Sequence, residues 1–324
     1  MTLKEVFQKN PNMKYIMFGG KGGLGKTTFS CATAFWLAKQ GKKVLVFSVD
    51  PQASLSDIFQ KDIFGKGAQE IIPNLFAQEI DADKRIKAYQ DEIRKKILDK
   101  YGFDQVPEEI ESYIAATAAE PAMEESAIFD AVVDIVNTTD FDYYIYDLVP
   151  LGHALYYLSM SSIYDEWINK ITKLREEMRK YEQVVAKMKS EAVKEEDEVL
   201  AELQYIRRRI NLASSVFTDK TKTGFFFVLT PEAMSVIDTE KAASLFARYG
   251  VPITGFVVNR LIPQELEKQN IPQYLRNRIE SQRQPITEIK QKFGAKVLGW
   301  VPELERDVTG LAMIEKMAKI MYEE

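Results

Sequence analysis

Cysteine is almost absent from this sequence: among 324 residues only Cys31 carries a thiol. One thiol per chain excludes an intramolecular disulfide, and a thiol-rich metal site could arise only between chains. Histidine is equally scarce, with His153 alone, so no histidine–cysteine metal site is expected within one chain. An excess of basic charge is lacking too. The 43 lysines and arginines are outweighed by 48 acids, for a net charge of −5, and the two signs are interleaved. That balance provides no field for nonspecific DNA binding, though a local basic patch stays open. No window approaches the roughly 20 apolar residues needed to span a bilayer, and Met1 to Tyr15 hold no apolar stretch like a signal peptide. These absences predict a cytoplasmic protein that is not integral to a membrane and takes no nucleic acid.

What is present is a series of short apolar runs rich in β-branched and aromatic residues: Tyr15–Phe18, Val44–Ser48, Tyr143–Tyr146, Phe225–Leu229, Ile253–Val258 and Lys296–Trp300. They are nearly continuous in hydrophobicity, as parallel strands covered on both faces are. Helical patterns lie between them, among them Thr28–Lys39 and Thr239–Tyr249. The alternation predicts an α/β fold with a doubly wound, mostly parallel sheet whose ligands bind at the carboxyl ends of the strands. Two stretches break it. Residues from about 82 to 139 look all-helical, with Ile86, Tyr89, Ile93 and Ile97 on one face and Ile128, Val132, Ile135 and Val136 on another. Residues from about 161 to 215 form a charged helical stretch. Ile163, Trp167, Ile171, Leu174, Met178 and Tyr181 keep helical spacing there, and Ser190–Asp197 is the candidate turn of a helical hairpin. Without repeats or low-complexity linkers, the chain is expected to be one domain, 1–324, with these stretches inserted as a helical subdomain.

The run Tyr15–Phe18 leads into GGKGGLGKTT, Gly19 to Thr28, followed by a helical pattern. Gly20, Gly25, Lys26 and Thr27 fill the G-x-x-x-x-G-K-[ST] template in the strand–loop–helix setting it requires. Glycines let successive backbone N–H groups turn inward around a phosphate, and the new helix aims its positive end there. The cradle therefore comprises Gly20, Lys21, Gly22, Gly23, Leu24, Gly25, Lys26, Thr27 and Thr28. Lys26 supplies charge to the β- and γ-phosphates, and the Thr27 hydroxyl is placed to ligate Mg²⁺. The expected ligands are ATP and Mg²⁺, and the expected reaction is hydrolysis to ADP and phosphate.

Two further strands run into acids. Val44–Ser48 leads to Asp50-Pro51-Gln52-Ala53-Ser54-Leu55-Ser56-Asp57, and Tyr143–Tyr146 leads to Asp147-Leu148-Val149-Pro150-Leu151-Gly152-His153. Both aspartates should sit near the phosphates. Asp147 is placed to hold Mg²⁺ through water, and Asp50 is the candidate for orienting or deprotonating the attacking water. An aspartate after a strand also serves as a helix cap or turn residue, so the upstream loop is what favours chemistry here. His153, six residues beyond Asp147, is a candidate switch residue.

Lys21 begins K-G-G-x-G-K-T-T, the deviant Walker A pattern. The chain thereby resembles the SIMIBI class of P-loop ATPases that includes MinD, ParA, the nitrogenase iron protein and the ArsA ATPases. In that class the early lysine reaches the nucleotide of the facing subunit, which implies a homodimer and a catalytic role in trans for Lys21. The chain is most similar to the ArsA branch, which holds the arsenite-pump ATPase and the factor that delivers tail-anchored membrane proteins. Asp50, Pro51, Ser54 and Asp57 match its first switch, and Asp147, Pro150, Gly152 and His153 match its second. The stretch Phe226 to Glu232 followed by Thr239-Glu240 resembles the branch's next strand and helix. Val257-Val258-Asn259 resembles its adenine-facing asparagine motif, and Val301-Pro302 with Val308-Thr309-Gly310 resembles its adenine loop. The departures are Gln52 and Ala53 for the branch's alanine and histidine, and Leu148, Leu151 and Ala154 for three threonines, which implies slow or differently coupled hydrolysis. Lys268 to Gln282 lacks the zinc-binding C-x-x-C pair, so any dimer is expected to close without zinc. The resemblance implies a nucleotide-switched homodimer that binds and releases an apolar helical client. The alternatives are a metalloid-pump motor, disfavoured by the shortage of thiols, and a MinD- or ParA-like positioning ATPase with an amphipathic terminal helix at Leu311–Tyr322.

Overall fold

All six apolar runs become strands of one sheet, each bounded within three residues of the expected limits. In chain order the strands are β1 (Tyr15–Gly19), β2 (Val44–Ser48), β3 (Gln69–Ile72), β4 (Leu75–Glu79), β5 (Tyr143–Asp147), β6 (Thr223–Leu229), β7 (Gly255–Leu261) and β8 (Val297–Pro302). This computed structural model describes residues 1–49, 54–101, 105–118, 121–147, 166, 168–181 and 198–323. The spatial order is β3-β4-β2-β5-β1-β6-β7-β8. Every pairing is parallel except β3 with β4. β3 and β4 are a hairpin that the apolar-run pattern does not reveal, because polar residues interrupt both strands. Asn74, at φ 70°, makes the turn, a left-handed conformation that asparagine tolerates better than most residues.

The two faces of the sheet follow from strand alternation. Ile16 and Phe18 of β1 and Phe226 and Val228 of β6 join one core. Into it pack α1 (Leu3–Lys9), α2 (Lys26–Lys39), α3 (Ser54–Phe59) and α11 (Gly310–Tyr322). Met17, Phe225, Phe227 and Leu229 point the other way. They meet α6 (Pro121–Thr138), α9 (Ala233–Arg248) and α10 (Gln273–Lys292). Helices on both faces of a mostly parallel sheet make the fold doubly wound, as expected. From β1 the chain first builds toward β2 and later, after β5, toward β6, so the strand order reverses at β1, and the crevice lies at its carboxyl end.

The helical stretch before β5 resolves into α4 (Ala82–Tyr101), α5 (Glu108–Ala118) and α6. Ile128, Val132 and Ile135 of α6 are buried on the sheet, while Tyr89 of α4 is exposed, so the expected α4 face is only partly covered. After β5 come α7 (168–181) and α8 (Glu198–Thr218). Residues 161–165, Trp167 and the hairpin turn expected at Ser190–Asp197 lie outside the described residues. Of the residues at helical spacing on α7, Ile171 is half-buried, whereas Leu174, Met178 and Tyr181 are 57%, 48% and 74% exposed. No helix among the described residues is long and apolar enough to cross a membrane.

Candidate functional site

The glycine loop spans 20–25, between the end of β1 and the first residue of α2. Two glycines are required by close approach as well as by backbone conformation. Gly20 has φ 148°, and a Cβ there would stand 2.5 Å from the Val228 carbonyl oxygen of β6. Gly25, at φ 100°, caps α2 without a side chain, and a Cβ there would stand 2.6 Å from Asn259 Nδ2. Nothing lies within 4 Å of a Cβ built on Gly22 or Gly23, so the loop's crest is open. Leu24 is buried and anchors it from below. The first turn of α2 is left with amides facing the loop, the arrangement that binds anions.

Lys26 is buried, and its Nζ donates to the backbone carbonyl of Lys21, 3.2 Å away, so its ammonium lies inside the loop. Thr27 and Thr28 are half-buried on the first turn of α2. Asp147 ends β5 with 3% exposure and accepts a hydrogen bond from Ser30 Oγ of α2 at 3.4 Å. β1 and β5 are direct neighbours, and Phe18 pairs with Asp147, so the acid emerges beside the loop's entry. Lys21 extends to α9, where its Nζ lies 3.0 Å from Asp238 Oδ2.

Asn259 of β7 donates from Nδ2 to the Leu24 carbonyl at 2.9 Å. The structure therefore gives this residue a bond to the phosphate loop, whatever else its amide oxygen meets. Behind it the end of β7 is held by Gln282 of α10. Its Nε2 donates to the Arg260 carbonyl at 2.9 Å, and its Oε1 accepts from the Ile262 amide at 2.9 Å. Val301 is buried and Pro302 half-buried at the end of β8, on the same carboxyl edge as Asn259. Of the residues expected to form the first switch, Ser54 and Asp57 lie on α3, and the Ser54 hydroxyl is buried with no hydrogen-bond partner among the described residues. Asp50, Pro51 and Ala53, with Leu148, Pro150, Leu151, Gly152, His153 and Ala154, lie outside the described residues. Cys31 is fully buried on α2; burial first, then the nearby Asp147 and Glu79 carboxylates, push its thiol well above the usual range.

The apolar-run pattern misses Ser30, Glu79, Asp238 and Gln282. Glu79 had a signal: it continues the two-residue alternation of buried Leu75 and Ala77, which puts a carboxylate on the inward face. Asp238 and Gln282 had none, since each matters only through a residue distant in the chain.

A strand–glycine loop–helix with an inward lysine and a strand-end aspartate beside it, set in a doubly wound sheet, is the architecture of a P-loop ATPase. The profile of the family described as anion-transporting ATPase, the ArsA ATPases, matches residues 13–323. The chain belongs to this family and hydrolyses ATP. One relative, from Aquifex aeolicus, bears the name arsenical pump-driving ATPase 2; it is 30% identical over 311 residues, covering 95% of this chain and 99% of its own. The ATPase GET3 of Malassezia globosa is 30% identical over 265 residues, covering 81% and 76% of the two chains. The ATPase ASNA1 homolog 2 of Paramecium tetraurelia is 30% identical over 268 residues, covering 81% and 79%.

Proposed function

We propose that this ATPase works as a Mg²⁺-dependent, nucleotide-switched homodimer that binds and releases an apolar helical client, in the manner of the tail-anchored-protein delivery factor. The observation that carries the client reading is the bare stripe on α7. Leu174, Met178 and Tyr181 follow one another at four and three residues, so they share one helical face, and that face is exposed. Three large apolar side chains over about two turns of helix suit an apolar helix laid against them. The phosphate cradle accommodates a triphosphate because its crest is open and Lys26 already directs its charge inward. Thr27 and Asp147 would hold the Mg²⁺, Asp50 would orient the attacking water, and Lys21 would reach the partner's nucleotide. Pro150, Gly152 and His153 would carry the second switch, and Asn259, Val301 and Pro302 would border adenine.

The test is capture of a tail-anchored segment by the purified chain, followed by light scattering with and without Mg-ATP. The wild type should keep the segment soluble, and Leu174→Asp/Met178→Asp should not, while both hydrolyse ATP. Equal aggregation with and without wild-type protein sinks the client reading. The Aquifex name favours a second reading, a motor for an arsenical pump. Cys31 is sealed in the core as a neutral thiol, which makes a poor metalloid ligand. Hydrolysis stimulated several-fold by arsenite would reverse this preference.

A further inference from the structure

Glu79 ends β4 with 1% exposure. Burying a carboxylate is costly unless its oxygens are hydrogen-bonded, so where those bonds go shows what the charge holds. Both go to α3. Oε1 accepts from the Leu55 amide at 2.6 Å, and Oε2 accepts from the Ser56 hydroxyl. Ser56 Oγ in turn accepts from the Ile63 amide at 3.1 Å, tying down the chain where it leaves α3. The strand register shows a parallel arrangement at the other acid. Ser48 of β2 pairs with Glu79 on one side and with Asp147 on the other. The two acids thus occupy one row of the sheet's carboxyl edge, about 10 Å apart across β2. Each grips a helix: Asp147 takes Ser30 of α2, the helix of the phosphate loop, and Glu79 takes the first turn of α3.

We infer that Glu79 is a positioning residue for ATP hydrolysis, acting through α3 to set where the first switch joins the fold. The inference rests on the reading of 50–57 as that switch. Leu55 and Ser56 stand five and six residues after Asp50, so the point Glu79 holds is the carboxyl-terminal end of the switch. A leucine would fill the space but leave the buried Leu55 amide without its acceptor, which is costly; the carboxylate fixes the register of α3.

The test compares Glu79→Ala, Glu79→Gln, Ser56→Ala and Asp50→Asn in the full chain by steady-state hydrolysis, calorimetric Mg-ATP affinity and thermal unfolding. Asp50→Asn addresses the switch reading alone: lost turnover with retained ATP affinity supports it, and unchanged turnover refutes it whatever Glu79 does. For Glu79→Ala, kcat should fall about ten- to hundredfold with KM within about threefold, because misplacement of a reacting group acts on turnover. Glu79→Gln should recover to within about fivefold of wild type, since its amide can accept from Leu55 and donate to Ser56. Unchanged kcat in Glu79→Ala, or ATP affinity falling in step with kcat, overturns the inference. Should Glu79→Ala not fold, Ser56→Ala decides. It should lower kcat about three- to tenfold alone and no further when combined with Glu79→Gln, as residues acting as one unit do; losses that multiply overturn the inference.

Discussion

Lys26 and Cys31 lie five residues apart and show how placement decides chemistry for a single side chain. Lys26 is buried with its ammonium turned into the loop. Its replacement by alanine should reduce hydrolysis by at least about 10²-fold, the scale of losing one preorganised donor to developing negative charge. Calorimetry should show the Mg-ATP affinity falling with it. Cys31 is the opposite case. Its folded-state pKa is raised, chiefly by burial and then by Asp147 and Glu79, from an ordinary value of 9.0. The unfolded chain therefore releases this proton first, and above about pH 9 the folded state holds more protons. The thiol's contribution to stability is fully present below that pH and is lost as pH rises beyond it. Urea titrations at pH 7 and 10 should show the decline, and Cys31→Ser should lessen its steepness. At pH 7 alkylation of Cys31 should proceed only through unfolding.

Among the elements, α11 illustrates how a sequence pattern can suggest a surface that packing then removes. An amphipathic terminal helix suits a membrane, yet Ile314, Met317, Ala318 and Tyr322 are buried on α2 and α1. Tyr322 stacks on Trp36 at 4.1 Å between ring centroids and shares a 2.7 Å hydrogen bond with Thr33. With that face used internally, lipid has little to bind. Tyr322→Phe should cost about 1 kcal/mol for the lost hydrogen bond. Tyr322→Ala should cost about 3–5 kcal/mol, as aromatic truncations in cores do. Chemical denaturation would measure both. α7 is the converse: Leu174, Met178 and Tyr181 share a helical spacing, and no neighbour among the described residues covers them.

For the molecule as a whole, the pairing of Lys21 with Asp238 bears on dimer formation. The two side chains are 56% and 31% exposed, so their ion pair is worth no more than about 1 kcal/mol. That is too little to hold Lys21 back once a second nucleotide is within reach. Sedimentation should find wild-type dimers with Mg-ATP. Lys21→Ala should leave ATP affinity within about threefold and cut turnover by at least about tenfold, since a charge supplied in trans acts on the transition state. Turnover unchanged by Lys21→Ala would remove the case for a shared site.

Local rules made much of this protein legible in its sequence. Continuous apolar runs marked six strands, because parallel strands covered on both faces admit little polarity. The glycine–lysine spacing marked the phosphate loop, because only glycines adopt its turns and tolerate Val228 and Asn259 at such close range. The resemblance of the surrounding motifs supplied the family. The hairpin β3–β4 escaped because its strands are short and mixed in polarity. What tertiary structure alone decided is which distant groups meet: Glu79 with α3, Asn259 with Leu24, Asp238 with Lys21 and Gln282 with the end of β7. Such bonds depend on sheet order and register, which bring together residues up to 235 positions apart, and no local periodicity encodes that separation.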